Sequence, residues 1–284
     1  MQMPIPPLAP PPALQRARGR AEVTVAAKAG RSVLSRLFQQ GCAKAILPRA
    51  HGGTPEAVLV NTSGGVTGGD HLAFAMRAEA GASFTVTTQA AERIYRAGDG
   101  GPGRIETRIE IGAGGRIDWL PQETILFEGS RLLRHLDADL APDAVLTALE
   151  TVVLGRAAMG EVLSDAHFSD QWRLRRAGRL VHAEALRIDA ATLEGRHARA
   201  TLGGHRALAT LVHLAPGAET RIEATRALLA AIRAEIPSVE AAATAREGLL
   251  ILRLLAPDAA PLRAALIRLL IPFRAGPLPR VWSL

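Results

Sequence analysis

The sequence predicts a mainly β fold whose C-terminal part is mixed α/β. Between about residues 20 and 215, short segments alternate polar and apolar residues or are rich in β-branched residues. Clusters of Gly, Asp and Pro interrupt these segments about every ten residues, as turns between short strands do. From about residue 216 onward, the apolar residues recur instead at helical spacings.

Six segments of the first part have the pattern of β-strands. These segments are residues 22–26, 57–60, 71–76, 83–88, 104–111 and 116–120. Many short strands joined by frequent turns are typical of a sandwich, a barrel or stacked β-layers. The sequence contains no strict repeat, so its residues alone do not predict a regular solenoid.

The last 65 or so residues predict two helices around one strand. The first helix covers 220–236 and ends at Pro237, and a buried strand covers 248–255. Asp258 can cap the second helix, with Pro261 tolerated in its first turn. The apolar face of this helix belongs either to the core or to a partner interface, and it consists of Leu262, Ala265, Leu266, Leu269, Leu270 and Phe273.

The chain is strongly basic, with a net charge of +7 and a pI near 10.9. Such a charge favours anionic partners. However, the basic residues are nearly all arginines scattered along the sequence, and no aromatic residues are interleaved with them to form a stacking platform for bases. An acidic protein surface is therefore at least as good an explanation as nucleic acid, and we expect no specific nucleic-acid partner.

The composition also indicates the cellular compartment of the protein. No apolar run is long enough for a transmembrane helix, and the first residues lack the pattern of a signal peptide, so we expect neither a membrane association nor export. The single cysteine, Cys42, excludes an internal disulfide and suits the cytoplasm. Residues 1–15 are rich in proline, which predicts a disordered, extended tail.

The glycine-rich segment 61–70, Asn-Thr-Ser-Gly-Gly-Val-Thr-Gly-Gly-Asp, joins two predicted strands. A phosphate-binding loop would instead open a helix and carry a lysine, whereas a carboxylate at Asp70 repels phosphate. Two interpretations remain: a tight structural corner in which Asp70 caps backbone amides, or a functional acidic site. The glycines that give the loop its conformational freedom are Gly64, Gly65, Gly68 and Gly69.

No catalytic or metal-binding signature with cysteine, histidine or serine occurs, and the histidines are dispersed. Carboxylates are more suggestive: Asp70 ends the glycine loop, and Glu92 and Glu123 follow predicted strands. Two facing carboxylates could serve a carbohydrate-active hydrolase with a β fold, for which Asp70 and Glu123 are the candidates. Alternatively, they could hold a divalent ion weakly through oxygen ligands.

Five segments, in this order, resemble the UreD (also called UreH) family of urease accessory proteins. They are 61–70, 87–96 (Thr-Thr-Gln-Ala-Ala-Glu-Arg-Ile-Tyr-Arg), 119–127 (Trp-Leu-Pro-Gln-Glu-Thr-Ile-Leu-Phe), 155–161 (Gly-Arg-Ala-Ala-Met-Gly-Glu) and 279–282 (Pro-Arg-Val-Trp). Besides the four glycines, the motif residues expected to have a structural role are Gln89, Tyr95 and Gln122. The first segment departs from the Pro-Pro form of many members, but its two glycine pairs and Asp70 are intact.

The resemblance implies a layered, β-helix-like stack of short strands with two C-terminal α-helices. It implies a single domain over 16–284, with a β body at about 20–215 and an α/β part at about 216–284. It also implies a scaffold protein without catalytic residues, which binds apo-urease, UreF and, through UreF, the nickel-carrying GTPase UreG.

For the site residues, the resemblance implies an internal route for nickel lined by polar and acidic side chains. Asp70 and Glu123 are the expected metal-contacting residues on this route. No tightly bound cofactor is expected, only nickel in transit, and oxygen ligands would release it more readily than thiolates or imidazoles. The helical C-terminal part is the expected UreF contact, together with Arg280 and an exposed Trp282, since Arg and Trp often dominate interfaces. The alternative for Trp282 is that it packs on its own domain.

Overall fold

The computed structural model describes residues 15–48, 54–98, 100–274 and 276–283. The predicted tail at 1–15 therefore lies almost wholly outside the described residues. The strands, in chain order, are β1 (Arg18–Lys28), β2 (Arg31–Gly41), β3 (Ala43–Ile46), β4 (Glu56–Asn61), β5 (His71–Ala78), β6 (Ser83–Thr88), β7 (Glu92–Ile94), β8 (Gly103–Ile111), β9 (Arg116–Trp119), β10 (Thr124–Leu126), β11 (Ser130–Leu140), β12 (Val145–Leu154), β13 (Ala166–Arg176), β14 (Arg179–Ile188), β15 (Ala207–Leu214), β16 (Glu240–Arg246) and β17 (Leu249–Ala256). The helices are α1 (Ala190–Glu194), α2 (Ile222–Glu235) and α3 (Ala259–Arg274).

The strands form two sheets. Sheet A has seven strands in the order β14-β13-β11-β8-β5-β1-β2, parallel from β1 to β13 and closed at each end by an antiparallel hairpin. Sheet B has ten strands, with the main order β16-β17-β15-β12-β9-β6-β4-β3. The short strand β10 also pairs with β12, and β7 pairs with β10. Its central strands β4, β6, β9 and β12 are also parallel.

The chain coils between the two sheets from β4 to β13. It visits sheet B and sheet A alternately, so each turn of the coil adds one parallel strand to both sheets. This arrangement confirms the predicted layered, β-helix-like stack with helices at its C-terminal end. The coil arises without a strict sequence repeat because pairing in register needs only alternating side chains and turns of suitable length.

Two layers of apolar side chains hold the fold together. The first lies between the sheets, and its largest fully buried members include Phe84, Phe168 and Trp172. The second lies between sheet B and the helices α2 and α3. All six apolar residues predicted for the face of α3 are buried there, so this face belongs to the core.

The predicted strands and both C-terminal helices are confirmed. Asp258 Oδ1 accepts a hydrogen bond from the amide of Ala259 at 2.7 Å, as expected for a capping residue. The strands β2, β3, β7, β10, β11 to β15 and β16 were not predicted, in part because β15 is buried along its whole length and therefore lacks alternation. The single strand predicted between the two C-terminal helices is in fact a hairpin of β16 and β17. No helix in the described part of the chain has both the length and the apolar character that a membrane crossing needs.

The expectation that Trp282 is exposed is wrong. Its side chain is 2% exposed, and its indole Nε1 donates a hydrogen bond to the carbonyl of Leu120 at 3.2 Å. The Arg263 guanidinium of α3 lies 5.3 Å from the ring centroid, and its Nη2 donates to the carbonyls of Val281 and Trp282. The ring completes the second core layer, whereas the neighbouring Arg280 is exposed.

Candidate functional site

The first four sequence motifs occupy the same corner of the coil. Each motif covers all or part of a connection from a sheet B strand to the next sheet A strand: β4 to β5, β6 to β8, β9 to β11, and β12 to β13. We call this stack of four connections the motif corner, defined by residues 61–70, 87–96, 119–127 and 155–161. The fifth motif reaches it from outside, because Trp282 is bonded to Leu120 of the third connection.

Backbone hydrogen bonds join each connection of the motif corner to the next. Val66 donates to the carbonyl of Arg93, and Tyr95 donates back to Val66, both at 2.8 Å. Glu92 donates to the carbonyl of Glu123, and Gly155 donates to that of Leu126, again at 2.8 Å. The short strands β7 and β10 are part of this ladder. The motifs are therefore neighbours in space although they are dispersed along the sequence.

The glycine loop packs directly on the next motif. Gly65 has φ +150°, and a Cβ at this position would lie 2.3 Å from the Tyr95 ring and 2.7 Å from the carbonyl oxygen of Arg93. The Tyr95 hydroxyl donates to the carbonyl of Gly64 at 3.3 Å. Gly65 thus permits close approach of the tyrosine and of the neighbouring backbone.

Asp70 is 5% exposed and accepts hydrogen bonds from two backbone amides. Oδ1 accepts from Ala17 at 2.7 Å and Oδ2 from Thr67 at 2.8 Å, which is the capping geometry of the first interpretation. Glu123 instead pairs with Arg263 of α3 at 3.2 Å. No hydrogen bond, ion pair or shared partner connects these two carboxylates in the described residues. Each carboxylate has structural partners of its own, which are backbone amides for Asp70 and a guanidinium for Glu123.

A buried charged cluster that sequence reasoning missed lies between the sheets. Arg134 of β11 bonds Asp170 of β13 through two nitrogens, at 3.0 and 2.7 Å, and its Nη1 lies 2.6 Å from Glu150 of β12. All three side chains are at most 6% exposed. Two indole nitrogens complete the cluster: Trp119 donates to Glu150, and Trp172 donates to Asp170.

From this cluster, polar side chains extend to the motif corner. Arg134 Nη1 also donates to Thr124 Oγ1 at 2.9 Å, and Thr124 lies directly beside Glu92 on the neighbouring strand β7. Glu92 Oε1 accepts a hydrogen bond at 3.0 Å from Asn61 Nδ2, in the first residue of the glycine loop. The buried cluster is thereby connected to the glycine motif.

In the other direction, polar side chains extend to the rim formed by β14 and β17. Glu150 lies directly opposite Thr210 of β15, and Thr210 lies opposite Arg253 of β17. Arg253 donates to Thr210 Oγ1 at 3.3 Å and pairs with Glu184 of β14 at 2.6 Å. The side chain of Arg253 is 55% exposed, so this end reaches solvent. His182 Nε2 lies 3.6 Å from Glu184.

We call this line of side chains the inter-sheet seam; it comprises Asn61, Glu92, Thr124, Arg134, Glu150, Asp170, Thr210, Arg253, Glu184 and His182. It crosses the interior between the two sheets, from the motif corner to the opposite rim. A continuous polar line through an otherwise apolar core costs desolvation free energy, which hydrogen bonds and ion pairs only partly offset. A functional role is one reason to retain such a line.

The two carboxyl groups on the corner side of the seam favour protonation. Burial raises the pKa of Glu92 to about 7, although the hydrogen bond from Asn61 opposes this effect. Burial likewise raises the pKa of Glu150 to about 7, against the attraction of Arg134. At the rim, the nearby imidazole of His182 and the contact with Arg253 lower the pKa of Glu184. Near neutral pH, the seam can therefore exchange protons at buried oxygens.

The seam offers carboxylate, hydroxyl and amide oxygens, with one imidazole near the rim. Within the described residues, no three His, Cys, Asp or Glu side chains are arranged to hold a metal ion. The seam could therefore contact a divalent cation only weakly, through one oxygen ligand after another. The sequence does contain a signal for the seam. Arg134 and Asp170 occupy positions of their strands that alternate in step with the buried apolar residues.

A shallow groove of about 1120 Å³ lies elsewhere, on the outer face of sheet A. None of the five motifs contributes to its lining, which includes His71, Glu106, Arg108, His135 and Asp137. His71 and Glu106 lie 3.4 Å apart, as cross-strand neighbours on a solvated sheet face do. The motif corner and the seam are therefore the candidate site, rather than this groove.

Comparison with known proteins points to one family. A family model described as UreD urease accessory protein matches residues 17–283. The chain is 47% identical to the urease accessory protein UreD of Chelativorans sp. (strain BNC1) over 277 residues, which are 97% of each chain. It is 47% identical to UreD of Methylobacterium sp. (strain 4-46), covering 96% of each chain. It is 49% identical to UreD of Dinoroseobacter shibae, covering 96% of this chain and 94% of that one.

Proposed function

This chain belongs to the UreD family of urease accessory proteins, and on that premise we propose that it acts in urease maturation as a non-catalytic scaffold for nickel delivery. In this proposal it binds apo-urease and UreF, and UreG joins the assembly through UreF. Nickel is the cargo and binds only in transit. The site of action is the cytoplasm.

The inter-sheet seam is the nickel route in this proposal. The supporting observation is the contact of Arg134 with Glu150 and Asp170, a charged cluster buried between the sheets and continued by polar side chains toward two surfaces. Ni²⁺ binds oxygen and nitrogen ligands, and weak single contacts allow it to move from one to the next. A site with four fixed ligands would retain the ion.

Arg134 controls passage along the seam. Its guanidinium stands between the two carboxylates and neutralises them when no metal is present. An incoming divalent cation competes for the same oxygens, so the guanidinium has to give up at least one contact while the ion passes. The metal role expected for Asp70 and Glu123 from the family resemblance is the competing hypothesis, because both carboxylates lie outside the seam. Variants of both are therefore compared with seam variants in the nickel-loading test.

The partner contacts of the proposal depend on charge and on the C-terminal part. A net charge of +7 favours association with acidic protein surfaces. Arg280 is exposed beside the buried Trp282 and can contact UreF directly. Trp282 can contribute only indirectly, by holding the C-terminal turn on the domain.

Co-expression with UreF, UreG and apo-urease tests the proposed function. We expect the four proteins to co-purify, and urease to gain nickel and activity only when this chain is present. A chain that purifies folded but binds neither UreF nor apo-urease would contradict the scaffold role. A co-expression without UreF distinguishes the contact with apo-urease from the contact with UreF. Apo-urease should still bind this chain, whereas UreG should no longer co-purify.

A further inference from the structure

Strand β2 leaves one long edge of sheet A without a partner strand. It pairs with β1 and ends the sheet. In the described ranges, no backbone group hydrogen-bonds to its outer edge. A long strand with a free edge is a template for pairing with another chain, and proteins usually cover, shorten or interrupt such edges. β2 has eleven residues and contains no proline, and a register shift at Ser35 is its one interruption in the pairing with β1.

The opposite edge of sheet A is protected, which makes the exposure of β2 distinctive. There, Arg246 of sheet B donates a hydrogen bond to the carbonyl of Val181 in β14, and Arg253 pairs with Glu184. At one edge of sheet B, β3 has only four residues. β2 lacks comparable cover, because in the described ranges its hydrogen bonds to sheet B involve only two of its side chains. Ser32 accepts one from the amide of Ser83, and Gln39 accepts one from the amide of Ala45 in β3.

Large apolar side chains are exposed along the same strand. Leu34 is 42% exposed, Leu37 is 38% exposed and Phe38 is 36% exposed. Leu34 and Leu37 pair with the buried Val25 and Val23 of β1 and therefore share one face of the strand, whereas Phe38 pairs with Glu22 on the other face. Both faces thus carry apolar side chains beside an open hydrogen-bonding edge. An added strand would satisfy the backbone groups and cover these side chains at the same time.

Charge identifies the kind of occupant. β2 carries Arg31 and Arg36 and no carboxylate, and the side chain of Arg36 is 69% exposed. Its nearest carboxylate, Glu22, is 3.9 Å away and lies closer to Arg20. Pairing of two β2 edges would bring arginines of like charge together. The proline-rich residues 1–14 are poor strand partners because proline lacks an amide hydrogen.

We propose that β2 is a docking edge for an extended acidic segment of a partner protein, which adds a strand to sheet A. The inference rests on the proposed function, in that the partner belongs to the urease maturation assembly. The segment supplies backbone hydrogen bonds to β2, apolar side chains against Leu34 and Leu37, and carboxylates near Arg36.

Amide hydrogen exchange on the full chain, alone and bound to apo-urease or to UreF with UreG, tests this inference. In one of these assemblies, we expect the β2 amides to exchange at least ~10-fold more slowly than in the free chain. The amides of the edge strand β16 serve as an internal reference. Unchanged exchange of β2 in every assembly that forms would overturn the inference while leaving the scaffold function intact.

Two substitutions and a matched control complete the test. Arg36→Glu and Leu37→Asp should each weaken binding of that partner about tenfold, because both place negative charge at an edge that recognises an acidic segment. Leu180→Asp, at a 50% exposed position of β14, should leave binding unchanged. Equal effects of all three substitutions on partner binding would overturn the inference. It would also be overturned if the free chain formed a dimer and Leu37→Asp abolished that dimer, because the occupant of the edge would then be a second copy of the chain. If the chain binds neither partner, the proposed function itself fails.

Discussion

The guanidinium of Arg134 on one sheet lies 2.6 Å from the carboxylate of Glu150 on the other. This contact joins the two sheets in the middle of the inter-sheet seam. Asp170 shares the same guanidinium, so one positive charge faces two carboxyl groups. Because this cluster is buried, it affects the unfolding free energy of the domain. In the proposed function, its burial also affects how strongly its oxygens can bind a passing cation.

Removal of Arg134 should destabilise the domain strongly. In Arg134→Met, two carboxyl groups remain buried without their counter-charge, so we expect a loss of about 3–5 kcal/mol of unfolding free energy. Urea denaturation at pH 7 measures it. The loss should be smaller at pH 5, where Glu150 takes up a proton because burial raises its pKa. A loss that is the same at both pH values would contradict this explanation.

Glu150 should make stability depend on pH in a defined direction. Burial raises its pKa from 4.5 to about 7, so the folded state holds a proton that the unfolded state releases. Its contribution is therefore fully present below about pH 4.5 and is lost as pH rises through about 7. Glu150→Gln cannot titrate, so the stability of the native protein relative to this variant should fall across that window. A constant difference between the two proteins would contradict the raised pKa.

The two adjacent glycines of the glycine loop should respond differently to alanine. Gly65→Ala places a methyl group against the Tyr95 ring and the Arg93 carbonyl, so we expect about 3 kcal/mol of destabilisation or more. Gly64→Ala meets no atom within 4 Å and should cost only the strain of its positive φ, about 1–2 kcal/mol. Thermal unfolding of both variants measures the difference. Similar melting temperatures would show that the loop does not pack as described.

The C-terminal turn offers a test that separates stability from partner binding. Trp282→Ala should cost about 3–5 kcal/mol, because it empties a buried position and removes the hydrogen bond to Leu120. Arg280→Ala, at an exposed position, should change stability by less than about 0.5 kcal/mol. If Arg280 contacts UreF, this variant should bind UreF more weakly while it stays fully folded. Unchanged binding would remove Arg280 from the interface.

The sequence predicts the fold more fully than the site. Alternation and turn spacing identified β5, β8 and the α3 face, because each buries one side and leaves regular signals. The motifs marked the corner of the coil, but they did not show that their connections stack on one another, since this depends on pairing between residues 28–32 positions apart. Asp70 stood out because it ends a glycine loop, and its carboxylate is bonded to backbone amides.

The seam escaped sequence analysis for a physical reason. Arg134, Glu150 and Asp170 come from three strands, and single charged residues in strands are usually assigned to the solvated face. Only the register places them on the inner faces of the sheets. A charged residue in phase with buried leucines, as Arg134 is with Leu132 and Leu136, is the signal that distinguishes such a position.

The most direct test of the central claim is the nickel content of urease matured with seam variants of this chain. Glu92→Gln and Glu150→Gln keep the shape and hydrogen-bonding oxygen of each side chain, so binding of UreF and apo-urease should persist. Asp70→Asn and Glu123→Gln, at carboxylates outside the seam, are the matched comparison. We predict that urease nickel falls several-fold with the two seam variants and remains near the native level with the other two. Full nickel loading with both seam variants, or a loss confined to Asp70→Asn and Glu123→Gln, would contradict a nickel route along the seam.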